Sequence, residues 1–263
     1  MKVKIALLFL VLMCALKSYG SVLTLPTCQF ARSLDTEVHF YISKDILDEY
    51  SPQFVKAKID AWIAYSNLTL KNSCIPTTRR VTHVEYVSQI DSSWFQDIAV
   101  AERLLINELN RTFPEVNKQG EPIFNAIVFA NAFDSYKSLY CGYASSSSFF
   151  FTIAINCPDS ILEHEIGHLS GASHDIKTLS YYEEFDLDAH RLSTYPPLKN
   201  YSLGYICGER GTIMSYEDNH MPVYSSPDIK WNGKECGESD RADNRRVMVE
   251  FARQYSKVSL IND

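Results

Sequence analysis

The chain has 263 residues, a net charge of −7 and 46% hydrophobic residues. That length supports one domain with a sizeable core. An acidic balance without a basic stripe excludes a nucleic-acid surface, and no apolar run is long enough for a permanent membrane span.

Residues 1–20 read as a secretory signal. Lys2 and Lys4 form its charged start, Ile5 to Leu16 its apolar stretch, and Ser18-Tyr19-Gly20 places cleavage after Gly20. Residues 21–263 then form one domain at a charge of about −10, secreted to an extracellular or periplasmic space. Cys14 leaves with the signal, and the six remaining cysteines favour disulfides. Order along the chain suggests Cys28–Cys74, Cys141–Cys157 and Cys207–Cys236. A rival reading of Cys28 is a thiol that caps a metal before activation, but it leaves an odd cysteine.

Residues 36–43 alternate Val38, Phe40 and Ile42 with polar or mixed residues and predict a strand. Ser51-Pro52 opens a helix to about Leu68. Residues 80–87 predict a second strand, 98–113 a second helix, and 123–130 a buried strand. Residues 149–155, rich in aromatic and β-branched side chains, predict another.

Residues 164–175 read His-Glu-Ile-Gly-His-Leu-Ser-Gly-Ala-Ser-His-Asp. On a helix His164 and His168 stand one turn apart on one face, where two imidazoles reach one zinc ion. Glu165 sits beside that ion as a candidate general base. Gly171 ends the helix with a positive φ and returns His174 as third ligand. Three protein ligands leave a fourth position for water or substrate, the mark of a catalytic zinc site. Ser160 and Glu163 read as a capping box. A thermolysin-like scheme, with Glu183 or Glu184 as third ligand, leaves Gly171 and His174 unexplained.

These residues resemble the metzincin pattern, H-E-x-x-H-x-x-G-x-x-H followed by a Met-turn. Gly211-Thr212-Ile213-Met214-Ser215-Tyr216 is similar to that turn, and Asp175 to the reprolysin (adamalysin) branch. Residues 59–67, 80–85, 141–144, 222–227 and 243–246 resemble secreted bacterial reprolysin-like proteases. The resemblance implies an α+β fold with an α/β upper part: a twisted mixed sheet packed on helices, the zinc helix at the cleft floor, and an irregular C-terminal part ending in a helix. The upper part covers about residues 30–174 and the lower part about 175–263.

The same resemblance implies one Zn²⁺ ion, Met214 as an apolar floor beneath the histidines, and an Asp175 carboxylate that anchors backbone. It places the strand at 149–155 on the sheet edge above the cleft. Phe151, Thr152, Ile153 and Ala154 are then candidates to bind an extended peptide by strand addition. Pro222, Val223 and Tyr224 are candidates to shape the pocket beyond the scissile bond. Tyr216 departs from many animal reprolysins; astacins and serralysins carry such a tyrosine, which can bind zinc at rest and swing to the substrate oxyanion, so Tyr216 reads either as a candidate oxyanion donor or as a packed aromatic.

The expectation is a monomeric zinc endopeptidase acting on proteins or peptides. The alternative is a secreted binding protein without activity, which would have no need of Glu165. The acidic span 176–213 reads as a solvated loop rather than a second metal site. His39, His83, His190 and His220 read as structural or surface residues. Sequons begin at Asn67, Asn110 and Asn200.

Overall fold

The computed structural model describes residues 22–30, 33–91, 93, 98–110, 112–130, 141–144, 148–180, 186–194, 197–217 and 219–256. The expected signal at 1–20, Glu183 and Glu184 lie outside these. Among the described residues no helix is long and apolar enough to cross a membrane.

The order is β1 (Leu23–Thr24), β2 (Leu34–Ser43), α1 (Lys44–Glu49), α2 (Pro52–Asn72), β3 (Thr77–Val87), α3 (Ile98–Leu109), β4 (Ile123–Phe129), β5 (Gly142–Ala144) and β6 (Phe150–Ala154). There follow α4 (Ile161–Leu169), α5 (Ile176–Leu179), α6 (Leu187–Ser193), β7 (Ile206–Cys207), β8 (Arg210–Gly211), β9 (Ser226–Trp231), β10 (Lys234–Cys236) and α7 (Asn244–Tyr255). Five strands form one sheet in the order β3-β2-β4-β6-β5. The first four are mutually parallel, which requires crossovers. Helices α2 and α3 lie in the connections from β2 to β3 and from β3 to β4. All seven residues of β4 are buried, as expected for a parallel strand covered on both faces.

The edge strand differs from expectation. β6 pairs with β4 on one side and antiparallel with β5 on the other. Phe151, Thr152, Ile153 and Ala154 are therefore interior residues with 0% exposure, and their main chain is committed to the ladder. The edge belongs to Gly142, Tyr143 and Ala144, a strand of three residues, too short to show alternation in sequence.

The disulfides Cys28–Cys74, Cys141–Cys157 and Cys207–Cys236 all form. Cys28 is thus a structural cysteine, not a metal cap. Cys141–Cys157 ties the entry of β5 to the segment just before α4. The short N-terminal strand β1 pairs with β9, and β9 with β10; this small sheet was not visible in sequence.

Boundaries moved where backbone chemistry dictates. α2 runs one turn beyond Leu68 to Asn72. α3 stops at Leu109 rather than 113, because Asn110 turns to φ 45°. α7 begins at Asn244, where the Asp243 carboxylate accepts the Arg246 N–H at 3.1 Å, a standard N-terminal cap.

Candidate metal centre

α4 carries apolar Ile161, Leu162 and Ile166 into the main core. Its entry is not a capping box. Ser160 has φ −70° and ψ −22°, already helical, and makes no side-chain cap. Glu163 instead points inward, where Arg79 grips it: Arg79 Nε donates to Oε2 at 3.1 Å and Nη2 to Oε1 at 3.0 Å. Both side chains have 0% exposure. Tyr224 Oη donates to Glu163 Oε1 at 2.8 Å.

The helix ends as its glycine requires. Gly171 has φ +95°, and the Ala172 N–H donates to the Gly167 carbonyl at 2.9 Å. Ser173 then donates to the Ser202 carbonyl at 2.7 Å, which fixes the returning chain beside His174. The three imidazoles converge. His164, His168 and His174 Nε2 atoms lie 3.1, 3.2 and 3.0 Å from one another.

The tautomers follow from the neighbours. His164 Nδ1–H donates to the Ile213 carbonyl at 2.8 Å, and His168 Nδ1–H to the Ala172 carbonyl at 3.1 Å. Each of these rings therefore presents an Nε2 lone pair to the centre, the arrangement of a metal-ligating histidine fixed by its outer hydrogen bond. Burial, reinforced by the neighbouring imidazoles, pushes the pKa of His164 down to about 3, and burial pushes His168 down to about 4. His174 is also driven well below the ordinary imidazole range, mainly by burial. Neutral imidazoles are what a metal ion requires. Tetrahedral zinc with bonds of about 2.0–2.1 Å needs donor separations of about 3.3–3.4 Å, close to those found. Among the described residues this is the one such group of His, Cys, Asp or Glu ligands.

Glu165 is 3% exposed, and burial pushes its pKa up to about 8. It packs against Gly142 of β5: a Cβ built there would lie 2.5 Å from Glu165 Oε1. Met214 is fully buried and lies against α4, since a Cβ on Gly167 would meet its Sδ at 2.6 Å. Tyr216 is 49% exposed, its ring centroid 4.5 Å from that of His174. The Asp175 carboxylate accepts the Thr178 N–H at 3.0 Å and caps α5.

A cleft of about 780 Å³ opens over this centre. Its walls include β5, Glu165, His168, His174, Tyr216 and the Phe251 face of α7. Val223 and Tyr224 do not reach it. Val223 packs with Met221 and Trp231, and Tyr224 spends its hydroxyl on Glu163. Pro222 is half-buried outside the cleft, its carbonyl accepting from Asn72 Nδ2 at 3.1 Å. Among the cleft residues, Gly142 stood out in sequence only through the family resemblance, and His190 on α6 reads there as a structural or surface residue. His190 lines the cleft, and burial lowers its pKa.

No family model matches the chain. It is 33% identical over 123 residues to a peptidyl-Asp metalloendopeptidase of Stenotrophomonas maltophilia, covering 43% of this chain and 27% of the relative. It is 32% identical over 124 residues to a protein of the same name from Xanthomonas campestris pv. campestris, covering 43% and 26%. The chain thus spans about a quarter of the length of these curated relatives. A chain in a solved structure described as a chaperone-substrate complex aligns with TM-score 0.61 at 17% identity, over 85% of this chain and 35% of that one. That likeness concerns the fold alone. The sequence relatives are metalloendopeptidases by name, and the His164, His168 and His174 triad can bind a metal ion.

Proposed function

We propose that this chain is a secreted zinc-dependent endopeptidase of the metzincin, reprolysin-like type, holding one catalytic ion. The observation that carries the reading is the meeting of three Nε2 atoms within 3.2 Å of one another beside a buried carboxylate at the floor of a cleft. His164, His168 and His174 would hold the ion. A bound zinc supplies Lewis acidity, polarising a scissile carbonyl and lowering the pKa of its water to about 7.

The chain's own groups do the rest. Glu165 takes a proton from the attacking water and delivers it to the leaving amine. Tyr216, beside His174 and half exposed, donates its phenol to the oxyanion. A peptide adds to the open side of β5, with main-chain hydrogen bonds holding it extended. The cleft wall from α7 and α6 receives its side chains. Met214 and Gly167 keep the helix and the turn in contact beneath the ligands. The disulfides favour an oxidising compartment, in agreement with export by the N-terminal segment.

The test is digestion of a denatured protein by the zinc-loaded chain and by Glu165→Gln. Cleavage by the first and nearly none by the second, at equal zinc content, supports the assignment. Equal activity in both refutes it.

A further inference from the structure

Gly142 lies in ordinary extended backbone, paired with Ile153 across the ladder. It is absent from the glycines with positive φ, which are Gly120, Gly171, Gly208 and Gly233. The backbone therefore does not demand glycine there. Space does. A Cβ at 142 would stand 2.5 Å from Glu165 Oε1, 2.8 Å from Cδ and 2.8 Å from Cγ. Real Cβ atoms do not approach so closely, so any side chain at 142 must displace Glu165 or the strand.

The strand has little freedom to yield. Cys141, the preceding residue, is bonded to Cys157. The Cys141 carbonyl accepts the Ala154 N–H at 3.0 Å. Glu165 has little freedom either, being buried on α4 between two zinc-ligand candidates one turn apart.

We propose that Gly142, held in place by Cys141–Cys157, is a positioning residue for Glu165. β5 forms the wall against which the carboxylate rests, and the missing side chain sets the carboxylate's distance from the metal. The same strand is the open edge along which a peptide adds. One element therefore registers both the proton acceptor and the bond to be cut. This inference rests on the peptidase reading above for its catalytic consequence, though its geometric content stands by itself.

The experiment uses zinc-loaded full-length protein in four forms: wild type, Gly142→Ala, Glu165→Ala, and Gly142→Ala with Glu165→Ala. Each is assayed for zinc content and thermal midpoint, wild type and Gly142→Ala also for KM and kcat on a quenched peptide, and Gly142→Ala is crystallised beside wild type. Misplacing a reacting group by about 1 Å costs about 100-fold. Gly142→Ala is expected to keep one zinc and a near-normal KM while kcat falls by about that factor. Glu165→Ala lacks Cγ, Cδ and Oε1, the three atoms that the new Cβ would meet. Adding Gly142→Ala to it is expected to lower the midpoint less than adding Gly142→Ala to wild type, the non-additivity of directly touching residues. The crystal pair is expected to show the Glu165 carboxylate displaced. Wild-type kcat in Gly142→Ala, the same midpoint loss in both backgrounds, or an unmoved carboxylate overturns the proposal. A wild-type protein that cleaves nothing sinks the peptidase reading instead, and the crystal pair still decides the positioning.

Discussion

The buried Arg79–Glu163 pair makes a sharp stability prediction. Both side chains are excluded from water, and the guanidinium meets the carboxylate through two hydrogen bonds. Arg79 Nη1 also donates to Thr36 Oγ1 at 2.9 Å, and Tyr224 Oη donates to the same carboxylate. The network joins the sheet strands β2 and β3, helix α4 and the segment after Met214. Arg79→Met strands a buried carboxylate with one remaining donor, which costs about 3–5 kcal/mol. Removing both charges with Arg79→Met and Glu163→Leu together costs much less, because replacing a buried pair by apolar groups of similar size is often near neutral. In that double variant Tyr224 Oη keeps the carbonyl of residue 163, now 3.1 Å away. Tyr224→Phe loses one hydrogen bond to a charged group, about 1.5–3 kcal/mol. The assay is urea unfolding of the oxidised protein at fixed zinc, comparing midpoints at unchanged slope. A loss below about 1 kcal/mol for Arg79→Met, or a double variant less stable than Arg79→Met alone, refutes the reasoning.

Three further outcomes follow from the site. Tyr216→Phe lowers kcat by about 10²–10³-fold if its phenol serves the oxyanion, with KM little changed; unchanged kcat assigns the ring to packing. In metal-free protein the raised Glu165 pKa, about 8 against 4.5 unfolded, favours the fold fully below pH 4.5 and loses that advantage as pH rises toward 8. Glu165→Gln should therefore match wild type near pH 4 and gain on it by up to about 1.4 kcal/mol per pH unit above that; parallel pH–stability curves contradict this. Zinc at 100 times its Kd raises stability by about 2.7 kcal/mol, and His174→Ala removes most of that gain in a thermal-shift titration.

The candidate ligand triad was legible because metal binding demands fixed spacings: a helical turn from His164 to His168, and a positive φ at Gly171. The disulfides followed from order along the chain, since each bridge closes a local segment. Strand β2 showed by its alternation and β4 as a short apolar run. Other features were hidden for equally physical reasons. Three residues of β5 are too few for a periodic signal, and the family resemblance alone put the edge on the next strand, β6. A glutamate three residues after a serine can reach back to cap a helix or across to an arginine. Glu163 does the second because Arg79, distant in sequence, waits at 0% exposure. Tyr224 carries both an apolar ring and a polar tip, and its burial depends on that same carboxylate. The space requirement at Gly142 exists only once α4 and β5 are side by side.

The central claim is that three imidazoles share one ion and leave a coordination position open. X-ray absorption at the zinc edge of the stoichiometrically loaded protein measures this directly. The account predicts one zinc per chain with three imidazole nitrogens at about 2.0–2.1 Å and one further light-atom ligand that exchanges when a hydroxamate is added. A site closed by four protein ligands, or fewer than two imidazoles on the ion, contradicts it.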